Sequence, residues 1–425
     1  MKKVLALDPK TNVEESWKPQ EVIMKGGIEK SRYVAVADSA SATNFQWNSI
    51  NPSSLKNIVE RSLRVRYKLR VTVVTIHANI ANRVLLPAIA GATIAAAGDA
   101  LVCTIGVPLP GPFNGCLRNF PLQSCAVSIE VKINGKSTSV NSSEFINNYS
   151  LMMSDKEVNR YVEFPAQPDS SASYAYNITS SRSPFAMHDG NSAVNSRASY
   201  LSTLISSVNT AAAGPDPQYC TDIYEFEVVE QLIVSPFTYG DGIDTAAGLS
   251  NIDNISLNIN LDNVYRCLST ATAMTGNPAA PLQSLTVSFL GVGDAVKPAL
   301  LYECITPDPV LAQRMPPQLI YTYENIKVDK TQLSTINISS GAPYTGTADS
   351  GAIRASSIPD KLFVYVKASK STLGASAQTS LNMTNAYLNI TNITMQWGNG
   401  GIKFSSYTEY DLYKMSVANG LKVSW

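Results

Sequence analysis

Two histidines limit the nucleophilic chemistry open to this chain, because a serine or cysteine nucleophile usually relies on an imidazole base. His77 follows a run of alternating apolar and basic residues and is expected at the end of a strand. His188 lies between Met187 and Asp189 in an expected turn, and nothing nearby in the sequence offers an activated nucleophile. We therefore predict that neither histidine is catalytic.

The six cysteines are not spaced like metal ligands. None belongs to a Cys-x-x-Cys pair, and neither histidine falls at metal-ligand spacing from them. They are Cys103, Cys116, Cys125, Cys220, Cys267 and Cys304. We interpret them as scattered buried thiols, and we predict no metal site and no cofactor.

Carboxylates are the remaining candidates for acid–base chemistry, and three of them, Glu225, Glu227 and Glu230, lie along one strand segment. A glycosidase needs two carboxylates that can be far apart in sequence, so such a pair stays open at this point. The alternation of these residues with apolar ones favours charges on an exposed strand face. The chain contains no nucleophile-elbow, zinc-protease, phosphate-loop or dinucleotide motif, and residues 291–294 are interpreted as a turn. We predict that the protein is not an enzyme and has no small-molecule substrate.

The composition favours a protein that packs against copies of itself. Only 16% of the 425 residues are charged, against about 25% in an average soluble domain. Lys plus Arg equals Asp plus Glu at 33 each, so no overall basic excess is available to hold nucleic acid. Binding of nucleic acid through a local basic patch stays open.

Neither secretion nor membrane insertion is indicated. The apolar run at residues 4–7 is too short for the core of a signal peptide, and the apolar stretch at residues 85–103 is broken by Pro87, Gly91 and Gly98. We expect synthesis in a cytosol.

Residues 63–73 carry the clearest strand signal of the N-terminal half, after a short helix that Ser54 could cap. Apolar residues alternate with basic ones, which predicts one apolar face and one basic face. The basic face is either solvated or directed at a genome or an acidic neighbour, and the sequence leaves both readings open. A hairpin follows, because Asn134-Gly135 between residues 127–133 and 137–140 favours a type I′ turn.

The order of these elements predicts an all-β fold: two antiparallel jelly-roll β-sandwiches in tandem, with short helices and long loop insertions. We assign residues 1–52 to an N-terminal arm with one short strand at residues 33–37. Residues 53–274 form the first jelly roll, including a projecting loop insertion at about 154–222 that carries one helix at 196–208. Residues 275–425 form the second jelly roll, with a C-terminal helix and tail.

The C-terminal helix has clear boundaries. Thr408 and Asp411 resemble a capping box, and Asn419-Gly420 supplies a stop signal. The strands of the second series are expected at residues 285–289, 300–305, 319–328, 362–368 and 386–397.

Several short segments resemble the major capsid proteins of the double jelly-roll lineage, the tailless icosahedral viruses related to adenovirus and the PRD1-type phages. The segments are NPSSLKNIV at 51–59, FPL at 120–122, ING at 133–135, VSPF at 234–237, LYKMS at 412–416, NGL at 419–421 and Trp425. The resemblance implies a homotrimer whose subunits each supply two upright jelly rolls, giving a pseudo-hexagonal capsomer of an icosahedral virion. Neighbouring capsomers, penton proteins and minor capsid proteins are then the expected partners.

Two alternatives stay open on the sequence. One is a single-jelly-roll capsid protein with a separate projection domain. The other is a β-sandwich that binds or hydrolyses carbohydrate, although four tryptophans against 20 tyrosines offer few large stacking surfaces for sugars.

Overall fold

The computed structural model describes part of the chain, with longer stretches before residue 306 and shorter ones after it. The described residues are 30–52, 57–77, 115–117, 120–151, 202–211, 218–237, 248–270, 282–291, 297–306, 326–331, scattered positions between 347 and 366, 390–397, 400–404 and 408–421.

One antiparallel sheet contains seven strands within these residues. They are β1 (Lys30–Val36), β4 (Ile58–Val59), β5 (Arg64–His77), β9 (Ser202–Ala211), β10 (Gln218–Gln231), β13 (Leu282–Leu290) and β14 (Ala299–Ile305). The main order is β1-β14-β5-β10-β9, and β13 pairs with β5 beside β14. The strand predicted at residues 63–73 therefore lies near the middle of the sheet.

A second antiparallel sheet of five strands packs against the first. Its strands are β2 (Ser39–Ala40), β3 (Asn44–Ile50), β7 (Ala126–Ile133), β8 (Lys136–Val140) and β11 (Ile255–Leu261), in the order β2-β3-β11-β7-β8. In β11 every second residue is buried, as expected for a strand with one face on a core. Two further strand pairs join β6 (Gly115–Leu117) to β12 (Leu268–Thr270) and β15 (Met395–Trp397) to β16 (Gly400–Phe404).

The helices among the described residues are short. They are α1 (Pro121–Cys125), α2 (Ser142–Leu151), a 3₁₀ turn at Val264–Cys267, and α3 (Glu409–Ala418). No helix in this part of the chain is long and apolar enough to cross a membrane. The prediction of an all-β fold with antiparallel sheets and few, short helices is confirmed.

Aromatic side chains join the two sheets at the centre of the core. Phe45 of the five-stranded sheet meets Phe289 of the seven-stranded sheet edge to face, with ring centroids 6.1 Å apart, and Tyr67 lies 5.5 Å from the same Phe289 ring. The indole N–H of Trp47 donates to the carbonyl oxygen of Ala35 in the opposite sheet at 3.0 Å. These contacts join buried side chains of both sheets in one continuous core.

The outer face of the five-stranded sheet is polar but largely uncharged. The side-chain amide of Asn44 donates to the Oδ1 atoms of Asn258 and Asn260 at 2.7 and 2.6 Å. Cross-strand amide contacts of this kind satisfy polar side chains without a net charge.

The predicted hairpin is confirmed, with β7 and β8 paired from Ile129↔Val140 to Ile133↔Lys136. Both turn residues have positive φ, 49° at Asn134 and 80° at Gly135, which is the requirement of a type I′ turn. Asn134 also binds the neighbouring connection, because its Oδ1 accepts from the backbone N–H of Asp253 at 2.8 Å.

Replacing Gly135 with alanine should lower the free energy of unfolding by about 1 kcal/mol, since a Cβ disfavours a left-handed backbone. Nothing lies within 4 Å of the added Cβ, so the loss would come from the backbone and not from a clash. Chemical denaturation measures it, with Ser137→Ala in the same hairpin as control. Equal free energies of unfolding for the two variants would contradict a cost of placing a Cβ at the positive φ of residue 135.

Three expectations for the N-terminal half are wrong. Residues 30–50, assigned to an arm, form β1, β2 and β3, which pair with β14 and β11 inside the sandwich. Residues 58–59, expected in a helix capped by Ser54, form strand β4. Residues 202–208 of the helix predicted at 196–208 belong to β9, which pairs with β10 through a bulge.

The expected division between residues 274 and 275 is also corrected by strand pairing. β13 and β14 follow that boundary, yet both pair with β5 in the sheet of the first sandwich. The first sandwich therefore continues to Ile305. Since β9 and the start of β10 occupy residues 202–211 and 218–222, the projecting insertion can extend at most over residues 154–201, which lie outside the described residues.

The C-terminal expectations are met in part. The side-chain oxygen of Thr408 accepts from the backbone N–H of Asp411 at 3.3 Å, and Gly420 has a φ of 105°, so the predicted start and stop of the last helix are confirmed. Residues 395–397 are strand as predicted, whereas residues 362–365 and 390–394 are not. Of the strand expected at 319–328, residues 326–328 are described and are not strand, and the rest lies outside the described residues, as does the tail at 422–425.

Candidate functional site

The structure places one of the two histidines. His77 is the last residue of β5, where its backbone is the register partner of Gln218. His188 lies outside the described residues. No group of three or more His, Cys, Asp or Glu side chains suited to a metal ion occurs in the part of the chain that the structure describes.

Three cysteines, Cys125, Cys267 and Cys304, are free and buried, as predicted for them. Burial raises the pKa of the Cys304 thiol to about 11, so this sulfur is protonated and weakly nucleophilic at neutral pH. The thiol of Cys125 donates to the carbonyl oxygen of Val264 at 3.4 Å. Cys116 and Cys220 lie in β6 and β10, and Cys103 is outside the described residues.

The basic face of β5 is matched by carboxylates of the neighbouring strand. Lys68 Nζ lies 2.8 Å and Arg70 Nη2 lies 3.4 Å from the two carboxylate oxygens of Glu225 on β10. The hydrogen bond from Lys68 lowers the pKa of Glu225, and the same bond raises the pKa of Lys68. Both groups are therefore charged at neutral pH. Glu225 therefore offsets part of the positive charge of this face within the chain.

Glu230 departs from the sequence interpretation, which placed it with Glu225 and Glu227 on an exposed face. Glu227 is exposed, but Glu230 is completely buried at 0% exposure. Strand parity is the reason, because residue 230 shares a face with Phe226 and Val228, both of which are buried. The alternation that places residue 230 on the buried face is visible in the sequence. The three glutamates of the segment nevertheless favoured an exposed face in the prediction.

The carboxyl group of Glu230 meets the first turn of α1. Its Oε1 accepts from the backbone N–H of Gln123 at 3.0 Å, and its Oε2 accepts from the Tyr67 hydroxyl at 3.4 Å. The Tyr67 oxygen in turn accepts from the backbone N–H of Leu122 at 3.1 Å. Burial raises the pKa of Glu230 to about 8, against the opposing effect of these hydrogen bonds. The group is therefore mainly neutral at pH 7.

The side chain of Gln123 continues this cluster towards the end of β10. Its Nε2 donates to the carbonyl oxygen of Gln231 at 2.9 Å, and its Oε1 accepts from the backbone N–H of Ile233 at 2.8 Å. The Gln123 side chain thus makes the hydrogen bonds that a neighbouring strand would otherwise make to the backbone of residues 231–233, where the chain leaves the sheet.

Two more side chains hold α1 from the opposite side. The Ser142 hydroxyl donates to the carbonyl oxygen of Gln123 at 2.7 Å, and Arg266 Nε donates to that of Ser124 at 3.2 Å. We call Tyr67, Gln123, Ser142, Glu230 and Arg266 the α1 clamp. All five are buried, so the clamp can fix a helix in place but cannot meet a soluble substrate.

Two successive sections of the chain match two family models, one in each section. Residues 1–303 match the model described as the first domain of the Sputnik virophage major capsid protein. The chain belongs to the Sputnik virophage major capsid protein family. Residues 328–425 match a second model, described as the C-terminal domain of major capsid protein V20.

A curated relative of the chain is also described as a capsid protein. The "Putative capsid protein V20" of Sputnik virophage is 23% identical over 424 residues, which cover 97% of this chain and 62% of that relative. The chain thus spans under two-thirds of the length of this curated relative.

Two solved capsid structures are similar to the chain. The cryo-EM structure of the Sputnik virophage matches with a TM-score of 0.58 and 19% identity, covering 100% of this chain and 75% of the other. The crystal structure of the mavirus major capsid protein matches with a TM-score of 0.39 and 13% identity, covering 76% and 55% of the two chains.

The two family models and the Sputnik virophage structure confirm the resemblance to the double jelly-roll capsid lineage and the expected fold class. The first family model ends at residue 303, within β14, in agreement with the strand pairing that extends the first sandwich to Ile305.

Proposed function

We propose that this protein is the main building block of an icosahedral virion shell, in which three copies form a pseudo-hexagonal capsomer. Membership of the capsid protein family over residues 1–303 is the observation that carries the proposal. The proposed location is the virion shell, after synthesis in the host cytosol. Neighbouring capsomers, penton proteins and minor capsid proteins are the proposed partners.

Apolar side chains left on the surface of a single chain support assembly. On the edge strand β1, Val34 and Val36 are 58% and 56% exposed. On α3, none of whose residues is buried, Tyr410, Met415 and Val417 are exposed. Exposed apolar side chains at a sheet edge and along a helix favour contact with another protein surface.

We propose no catalytic role and no small-molecule substrate. Among the three carboxylates considered for acid–base chemistry, Glu225 is paired with Lys68 and Glu230 is closed to solvent. Any contact with the genome or an inner membrane would be local, because the net charge is zero and Lys68 and Arg70 are already paired with Glu225.

We also propose a division of the chain that follows the pairing. The first jelly roll would comprise residues 30–305, and the second would lie within residues 326–425 with α3 at its end. A projection formed by residues 154–201 stays a prediction.

Purified full-length protein should sediment as a trimer at micromolar concentration, and negative-stain images should show three-fold or pseudo-hexagonal particles. Obligate interfaces commonly bury about 2,000 Å² or more, which holds subunits together at such concentrations. A stable folded monomer in sedimentation, with no larger particles in the images, would contradict the proposed assembly.

A further inference from the structure

The first turn of α2 collects contacts from distant parts of the chain. Ser142 binds α1 through the carbonyl oxygen of Gln123. The carbonyl oxygen of the next residue, Ser143, accepts from Arg266 Nη2 at 2.8 Å. The carboxylate of Glu144 lies 2.8 Å from Lys330 Nζ. Three successive residues therefore meet three different segments.

The contacts of Glu144 come from the region matched by the C-terminal family model, which begins at residue 328. Besides Lys330, the hydroxyl of Tyr365 donates to the backbone carbonyl oxygen of Glu144. Burial, together with the nearby Glu144 charge, raises the pKa of Tyr365, so its O–H remains available as a donor at neutral pH. Ile326, just before this region, packs against the core of the first sandwich.

The energetics make Glu144 sensitive to the loss of Lys330. The Glu144 side chain is 5% exposed, whereas that of Lys330 is 54% exposed. A buried carboxylate is costly unless a cation compensates it, while a half-exposed ammonium keeps much of its hydration. The first turn of a helix also favours a negative side chain through its free N–H groups. Glu144 is thus held in place from the helix side, and Lys330 offsets its charge from the side of the C-terminal region.

We propose that residues 142–144 form a joint that fixes the orientation of the C-terminal family domain against the N-terminal sandwich. The joint transmits position because Ser142 and Ser143 anchor it to α1 and Arg266, while Glu144 holds Lys330 and Tyr365. A subunit built from two sandwiches can tile a shell only if their mutual orientation is the same in every copy. The joint supplies that orientation within one chain.

Amide hydrogen exchange of the full-length protein tests the joint. Glu144→Gln and Lys330→Met should each speed exchange about tenfold in two peptides, one covering residues 142–151 and the other residues 326–331, because contacting pairs are coupled. The effect must reach both peptides, although each substitution lies in only one of them. The double variant should exchange no faster than the faster single variant.

Lys327→Met is the matched control, since Lys327 pairs with Asp329 at 3.2 Å inside the same segment. It should leave exchange in residues 142–151 unchanged. Acceleration confined to the peptide that carries the substitution, or effects that multiply in the double variant, would overturn the joint. Because Lys330 is half exposed, its variant is expected to fold even if a change at Glu144 prevents folding.

Discussion

Glu230→Gln is expected to abolish a large loss of stability that we predict for the parent protein as the pH rises from about 5 to about 9. Burial raises the pKa of Glu230 from its ordinary value of 4.5 to about 8 in the folded protein. A neutral glutamine keeps an oxygen for the backbone N–H of Gln123 and cannot ionise. The variant should therefore match the parent at low pH and exceed it at high pH.

The direction follows from proton linkage. Between pH 4.5 and 8 the unfolded chain releases the Glu230 proton while the folded protein keeps it, so the stability from this group falls as the pH rises. It is fully present below about pH 4.5 and is lost once the pH passes about 8. At 1.36 kcal/mol per pKa unit, the difference between parent and variant should approach roughly 5 kcal/mol at pH 9.

Urea denaturation of both proteins at pH 5, 7 and 9, at one protein concentration, measures this difference. Glu227→Gln is the matched control, because Glu227 lies on the exposed face of the same strand. Free energies of unfolding that run parallel for the parent and Glu230→Gln across this range would contradict a neutral, buried Glu230.

Trp47→Ala should cost about 3–5 kcal/mol of stability, as is typical of a fully buried aromatic side chain. The Trp47 side chain is 1% exposed, and its N–H holds the Ala35 carbonyl oxygen across the two sheets. Truncation would leave a cavity between the sheets and a carbonyl without its donor. If residues 1–52 were an arm, the same change would have almost no effect.

Thermal or urea unfolding of the variant distinguishes the two cases. Ser39→Ala is the control from the same part of the chain, because Ser39 is exposed on β2 and its change should alter stability by no more than about 0.5 kcal/mol. Equal free energies of unfolding for the Trp47 and Ser39 variants would instead support the assignment of residues 1–52 to an arm.

Local patterns predicted the elements whose signals are contained within a few residues. The alternation before His77 gave β5, Asn134-Gly135 gave the hairpin turn, and Thr408 with Asp411 gave the start of α3. Each of these depends on contacts between near neighbours in sequence. Hydrophobic periodicity and capping chemistry are sufficient for such elements.

Elements defined by distant partners were missed or misplaced. Residues 202–211 carry Leu204 and Val208 at helical spacing, yet a bulged pairing with β10 makes them a strand. β13 was predicted as a strand, but nothing local shows that β5 is its partner. Of the α1 clamp, the sequence could have shown that Glu230 faces inward. It could not show that Gln123, about 107 positions away, would supply the donor.

The pairing of β1 with β14 has a consequence for the timing of folding during synthesis. Lys30 is the register partner of Ile305, so the first strand of the described chain needs the last strand of the sandwich as its neighbour. At about 5–20 residues per second, a ribosome would deliver β14 some tens of seconds after β1. Until then β1 lacks the strand with which it pairs, and its apolar side chains have no completed core to pack against. Closure of the seven-stranded sheet is therefore a late event, and a translation pause before residue 305 would prolong the period in which an unpaired edge can meet another nascent copy.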